Sequence, residues 1–328
     1  FKQKTAYEIM PSLVGSEMCI RDRYTENMGN FYYQKELGVS DDFCIYIDTD
    51  SVFYSAIPII QKKYPHIDIK DEALMTSKIL EIASEVQEYL NDSYDLFAKK
   101  FCNIDEHRFE IKQELIAKSG LFVTKKRYGL KIINDNGKKV NKMMVKGLDT
   151  VRSSFPTAMR TMLSKLLEDI LMDVPKEQLD KFIINFKNSM KLMDFDKIAI
   201  PTGVKNVKKY KVEDGTIFKS YKLGTPVHVK SSLYYNDMLK HLNISKRYSE
   251  IYDGEKIKWV YLKKNPMGLD TIAYKGHEDP VEIMSFIREF INPSKLYKQA
   301  LEKKIMMFYE ALRWDEPTDA SKTIERFF

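Results

Sequence analysis

The sequence is poor in cysteine, with three residues (Cys19, Cys44 and Cys102) in 328, and it contains no CxxC pair. That number and scatter exclude a disulfide framework and fit a reducing cytoplasmic setting. The five histidines (His66, His107, His228, His241, His277) show no paired spacing, so a structural zinc site is not expected. No run of 18 apolar residues occurs, which leaves no candidate membrane-spanning helix. There is no internal repeat and no low-complexity segment. What is present is a chain of 44% hydrophobic and 30% charged residues, enough to build a substantial core.

The net charge of +6 is modest, but it is unevenly placed. Residues 112–152 hold 11 Lys/Arg against 3 Asp/Glu, and residues 201–265 hold 14 against 6. Each segment is therefore at +8, and the remainder of the chain carries −10. Two basic segments on an acidic background point to a polyanionic partner.

Apolar periodicity divides the chain. Residues 42–48 and 52–57 read as two strands around the polar Thr49, Asp50 and Ser51, making a hairpin. Residues 71–102 carry a helical stripe of Ile79, Ile82, Val86, Leu90, Tyr94 and Phe97. Residues 115–133 read as two strands meeting near Lys125–Arg127, and Asn134-Asp135-Asn136-Gly137 predicts a hairpin turn into a return strand over 140–145. A helix is expected from Pro156, capped by Ser153 or Ser154, with Met159, Met162, Leu163, Leu166, Leu167 and Ile170 inward. A second is expected over 176–192, and further helices over 280–290 and 294–314. Residues 201–264 read as β-rich and loopy. The fold class is α+β. Residues 1–23 show no such period and are set aside from fold reasoning, because they resemble a translated sequencing-adapter read-through.

Asp48 and Asp50 sit two apart at the hairpin tip. Clustered carboxylates there repel unless a cation neutralises them, and hard divalent ions favour such oxygen ligands. The segment Tyr46-Ile-Asp-Thr-Asp-Ser51 resembles the palm motif of family B DNA polymerases. Two further matches follow in the family's order: Lys125-Lys126-Arg127-Tyr128, and Lys146-Gly-Leu-Asp-Thr-Val-Arg-Ser-Ser154. Gly224-Thr-Pro-Val-His-Val229 is similar to a thumb segment of the large tailed-phage enzymes.

The resemblance covers residues 24–328 and implies a partial palm over 24–147, an antiparallel sheet with a long helix, and a mostly helical thumb over 148–314. It implies two-metal nucleotidyl transfer with Mg²⁺ or substituting Mn²⁺, primer–template DNA and deoxynucleoside triphosphates as substrates, and the cytoplasm of an infected cell as location. Asp50 matches a direct metal ligand, Asp48 its supporting neighbour, and Glu114 a further palm carboxylate. Lys125, Lys126, Arg127, Tyr128, Lys146 and Arg152 match the duplex-facing surface, and Lys205, Lys208, Lys209, Lys211, Lys219 and Lys222 are expected to continue it. The upstream third-carboxylate, fingers and exonuclease motifs do not occur in the chain. A C-terminal third that cannot polymerise alone is therefore expected. The other class of protein these residues fit is a non-catalytic DNA-binding module. Residues 315–328 read as a tether and tail, with Ile324, Phe327 and Phe328 spaced as anchors for a sliding clamp.

Overall fold

The computed structural model describes residues 6–48, 51–212 and 216–318, with side chains from Ile20 onward other than that of Asp48. The chain is mixed helix and antiparallel sheet. It forms two compact units, one of residues 1–126 and 130–144, the other of residues 127–129 and 145–328.

The first unit opens with helix α1 (Ala6–Leu37), followed by strands β1 (Cys44–Asp48) and β2 (Ser51–Tyr54), and helices α2 (Ile57–Lys63) and α3 (Glu72–Phe97). Helix α1 runs unbroken through the boundary that the sequence reading places at residues 23 and 24. It has no apolar stripe of helical period, which is why periodicity did not reveal it. From Tyr24 its side chains pack. The Tyr24 hydroxyl donates to the Ser93 carbonyl at 2.8 Å, and buried Thr25 shares a 2.8 Å bond with the Tyr94 hydroxyl. The Tyr54 ring lies so close to the helix that a Cβ on Gly29 would meet its oxygen at 2.1 Å. Only glycine permits that crossing.

Helix α3 begins where Asp71 accepts the N–H groups of Ala73 and Leu74, both at 3.0 Å. Met75, Ile82, Val86, Leu90, Tyr94 and Phe97 line its buried face. The last turn widens into a π-helical turn over Ala98–Cys102. Strands β3 (Leu115–Thr124), β4 (Arg127–Asp135) and β5 (Lys138–Lys146) form a meander in that order. The expected turn between β4 and β5 is there. Asn136 and Gly137 both have positive φ, and the Asn134 side chain accepts the Gly137 N–H at 3.0 Å.

In the second unit α4 (Thr157–Leu171) and α5 (Lys176–Ser189) follow a 3₁₀ turn at Asp149–Val151. Pro156, not Ser153 or Ser154, occupies the N-cap of α4, and no side chain caps it. Leu171 rather than Ile170 completes its buried face. Next come short helix α6 (Phe195–Ile198), strand β6 (Ile200–Gly203), short helix α7 (Val207–Tyr210), helix α8 (Val227–His241), and strands β7 (Lys256–Tyr261) and β8 (Thr271–Tyr274). The sheet order is β6-β7-β8, antiparallel throughout. Helices α9 (Val281–Phe290), α10 (Pro293–Leu296) and α11 (Lys303–Ala311) finish the unit, the last two joined by a π-helical turn over Tyr297–Glu302.

Helix α8 overturns the loopy reading of residues 201–264. It packs on β8, and every residue from Ser231 to Leu239 is buried. A helix enclosed all round shows no amphipathic period. Its polar groups are paired inside. Ser231 bonds Thr271 at 2.6 Å, and Asn236 accepts the Ile251 N–H at 2.7 Å while donating to the Ile251 carbonyl at 3.1 Å.

Candidate catalytic hairpin and nucleic-acid interface

The β1–β2 register pairs Ile47 with Val52 and Asp48 with Ser51. Asp50 and the Asp48 carboxylate lie outside the described residues. The base of the hairpin is held from α1. Asn30 Oδ1 accepts the N–H groups of Phe43 at 2.8 Å and Cys44 at 3.0 Å, while its Nδ2 donates to Asp42. Tyr33 stacks between Phe43 and Tyr54, with ring centres 5.4 Å away on both sides. Burial pushes the Cys44 thiol up to about 12, which keeps it protonated and unreactive.

The hairpin also engages the β3–β4 turn within the first unit. The Tyr46 ring stacks on Phe122 at 5.0 Å, and Phe53 meets the same ring edge-on at 5.6 Å. The Tyr46 hydroxyl accepts the backbone N–H of Lys126 at 2.6 Å. Lys126 has φ +62°, a left-handed conformation that L-residues adopt only when the surroundings hold it. Lys125 and Lys126 are thus presented at an exposed turn whose shape is fixed by the aspartate-bearing hairpin.

Glu114 is not brought to that turn. It precedes β3 at the opposite end of the strand, is exposed, and its carbonyl accepts the Asn136 N–H at 2.7 Å. The acidic groups that line a cleft with Ile47, Ser51 and Val52 are Asp22 and Glu110. Neither stood out in the sequence, since an isolated acidic residue on a helix or loop carries no pattern. Among the described residues no three His, Cys, Asp or Glu side chains come together as a metal cage.

Tyr128, expected at the DNA surface, is buried at 6% exposure because β4 turns it inward. Arg127, its neighbour, belongs to the second unit and reaches Asp149 instead, Nη2 to Oδ2 at 3.2 Å. Arg152 approaches the other carboxylate oxygen at 3.5 Å, and Lys304 the first at 2.9 Å. The Gly147 carbonyl also accepts from Arg127 Nε at 3.3 Å and from Arg152 Nη2 at 3.4 Å. Gly147 has φ +65°, a conformation glycine adopts without strain.

Lys146, Lys205, Lys208 and Lys209 are exposed, as are Lys219 and Lys222. An isolated bridge joins Lys211 to Tyr221. From the buried end of α8, Asp237 accepts the Phe218 N–H at 3.0 Å and the Ser220 hydroxyl at 2.7 Å. The later lysines of this run therefore stand on a segment anchored to the core. The tail anchors Ile324, Phe327 and Phe328 lie outside the described residues. Among the described residues no helix is long and apolar enough to cross a membrane.

The chain's sequence has relatives among known proteins. The sequence profile of DNA polymerase family B matches residues 16–311, and the chain belongs to that family. The match begins inside the stretch that sequence reasoning set aside. The DNA-directed DNA polymerase of Escherichia phage RB69 is 26% identical over 312 residues, an alignment covering 91% of this chain and 33% of the phage protein. The chain thus spans about a third of the length of that relative.

Proposed function

We infer that the chain is the palm-and-thumb portion of a DNA-directed DNA polymerase, residues 24–147 supplying part of the palm and 148–314 the thumb. In the intact enzyme it takes part in nucleotidyl transfer from deoxynucleoside triphosphates to a primer. By itself it binds primer–template duplex. The observation that carries this reading is the bond between Tyr46 and the Lys126 backbone, which couples the Asp48–Asp50 hairpin to the paired lysines. Chemistry at a primer end needs its carboxylates and its duplex contacts held in one frame.

Asp50, supported by Asp48, would hold Mg²⁺, or Mn²⁺ in its place; carboxylate oxygens suit such hard ions. Bound there, the metal would supply charge neutralisation on the phosphates and activation of the attacking oxygen. The protein's own contribution is rigidity: Asn30, Tyr33 and Phe122 fix the hairpin from both sides. Glu114 stands as a more distant palm carboxylate. Lys125, Lys126, Lys146 and Arg152, with Lys205, Lys208 and Lys209, neutralise backbone phosphates without reading sequence, as a replicative enzyme requires. Arg127 acts from its pairing with Asp149, and Tyr128 by shaping the strand beneath the turn. The segment bearing Ile324, Phe327 and Phe328 binds a sliding clamp.

The test is Asp50→Ala in the intact parent enzyme. Primer extension should fall to well below about a tenth of the normal rate while primed-duplex binding persists, because the carboxylate serves the metal rather than the duplex. Asp48→Ala should be the milder change. Retained extension by Asp50→Ala would remove the metal assignment. A chain that binds primed duplex while its Asp50 hairpin binds neither Mg²⁺ nor Mn²⁺ would favour a plain DNA-binding module.

A further inference from the structure

Asp149 is 9% exposed at its side chain, and three cations converge on it: Arg127 at 3.2 Å, Arg152 at 3.5 Å and Lys304 at 2.9 Å. All four residues belong to the second unit. One carboxylate cancels one of the three charges, leaving a local +2. The cations stand further into solvent than the group beneath them, at 26%, 55% and 32% for Arg127, Arg152 and Lys304. Both carboxylate oxygens are occupied, and the Gly147 carbonyl restrains both guanidinium groups from one side. Like charges gathered this closely repel unless a second anion completes the cluster. The two forks and one ammonium offer donors suited to a phosphodiester.

We propose that Asp149 is a positioning residue that gathers Arg127, Arg152 and Lys304 onto a single backbone phosphate of duplex DNA. The proposal rests on the duplex-binding reading above and deepens it. Asp149 does not itself touch the DNA, which its negative charge would repel. Its part is to hold three long side chains in one place before binding, so that less conformational freedom is lost when the phosphate arrives.

The sign of one substitution separates this from simple electrostatics. Asp149→Asn makes the chain more positive by one charge, so an unorganised basic surface would bind DNA more tightly. Positioning gives the opposite result. The experiment titrates a fluorescein-labelled primed DNA duplex with the 328-residue chain across a series of KCl concentrations. Asp149→Asn is expected to bind about fivefold more weakly, with the salt slope reduced by about 0.9 for one lost phosphate. Asp149→Glu should restore both. Arg152→Gln and Lys304→Gln combined should also reduce the slope by about 0.9 rather than by twice that, because the two cations share one phosphate. Thermal melts accompany each variant. If Asp149→Asn does not fold, the double variant at the solvent edge decides the matter. A folded Asp149→Asn protein that binds as tightly as the parent, or a double variant with the parent's slope, would overturn the proposal while leaving duplex binding intact. A parent chain without salt-dependent duplex binding would remove the duplex reading and this inference with it.

Discussion

The Tyr46 hydroxyl accepts the Lys126 N–H at 2.6 Å across 80 residues of chain, tying the aspartate hairpin to the lysine turn. Tyr46→Phe keeps the stack on Phe122 and removes the acceptor. The Lys126 N–H then loses its partner while the backbone remains at φ +62°. Stability should fall by about 1 kcal/mol, the usual worth of such a bond. Primed-duplex affinity should fall a few-fold because the turn is no longer held in shape. Calorimetry and duplex titration on the same variant separate the two effects. A loss of stability with unchanged affinity would make the bond purely architectural.

Helices α1, α2 and α3 meet at Glu85. Its carboxylate accepts from the Tyr32 hydroxyl at 2.7 Å and from Lys63. The Lys63 ammonium bond, then the Tyr32 hydroxyl, holds Glu85 below its ordinary 4.5. A carboxyl whose pKa is lowered on folding adds stability above the unfolded value, and that stability is lost as the pH falls through the folded one. Glu85→Gln should therefore lower the melting temperature at pH 7 and leave it unchanged near pH 3. The group is half exposed, so the difference should stay under about 1 kcal/mol. Melting curves that run parallel at both pH values would show that Glu85 acts through packing instead.

Residues 314–318 lead away from α11, and the Thr318 N–H reaches buried Asp180 at 3.3 Å, an aspartate that also accepts the Tyr309 hydroxyl at 2.7 Å. The anchors of the proposed clamp segment follow beyond that point. Replacing Ile324, Phe327 and Phe328 together with alanine should abolish binding to a ring-shaped clamp and leave the melting temperature unchanged. A melting temperature lowered by several degrees would instead place these side chains in the core.

The elements that could be read from the sequence are those with one buried face and one wet one. Helix α3 showed its stripe because only Met75, Ile82, Val86 and their neighbours go inside. The Asn134–Gly137 turn was legible because its chemistry is local. Helix α8 was hidden by complete enclosure, which removes the period along with the solvent. The cap of α4 was misplaced because Ser153 and Ser154 could serve, yet Pro156 fixes the entry without them. At the site, the motifs marked the aspartates and lysines but could not show that Tyr128 is turned inward. Nor could they show that Asp149 gathers cations from positions 127, 152 and 304. A faint signal for Asp149 existed: it is one of only three acidic residues in the +8 segment 112–152. An acid kept amid so many cations has a partner to hold.

Lys125 and Lys126 are exposed at a turn that the fold has fixed, and this sets what their loss should do. Lysines held in place neutralise particular phosphates and release their counterions, so they contribute to the slope itself. Replacing both with alanine should weaken primed-duplex binding equally for any sequence and reduce the salt slope by about one to two ion equivalents, at about 0.9 per phosphate contact. The measurement is duplex affinity across a KCl series, on two unrelated primer–template sequences. A slope unchanged within error would put both lysines off the path of the DNA. A loss confined to one sequence would mean that the turn reads bases, which a polymerase copying every template cannot do.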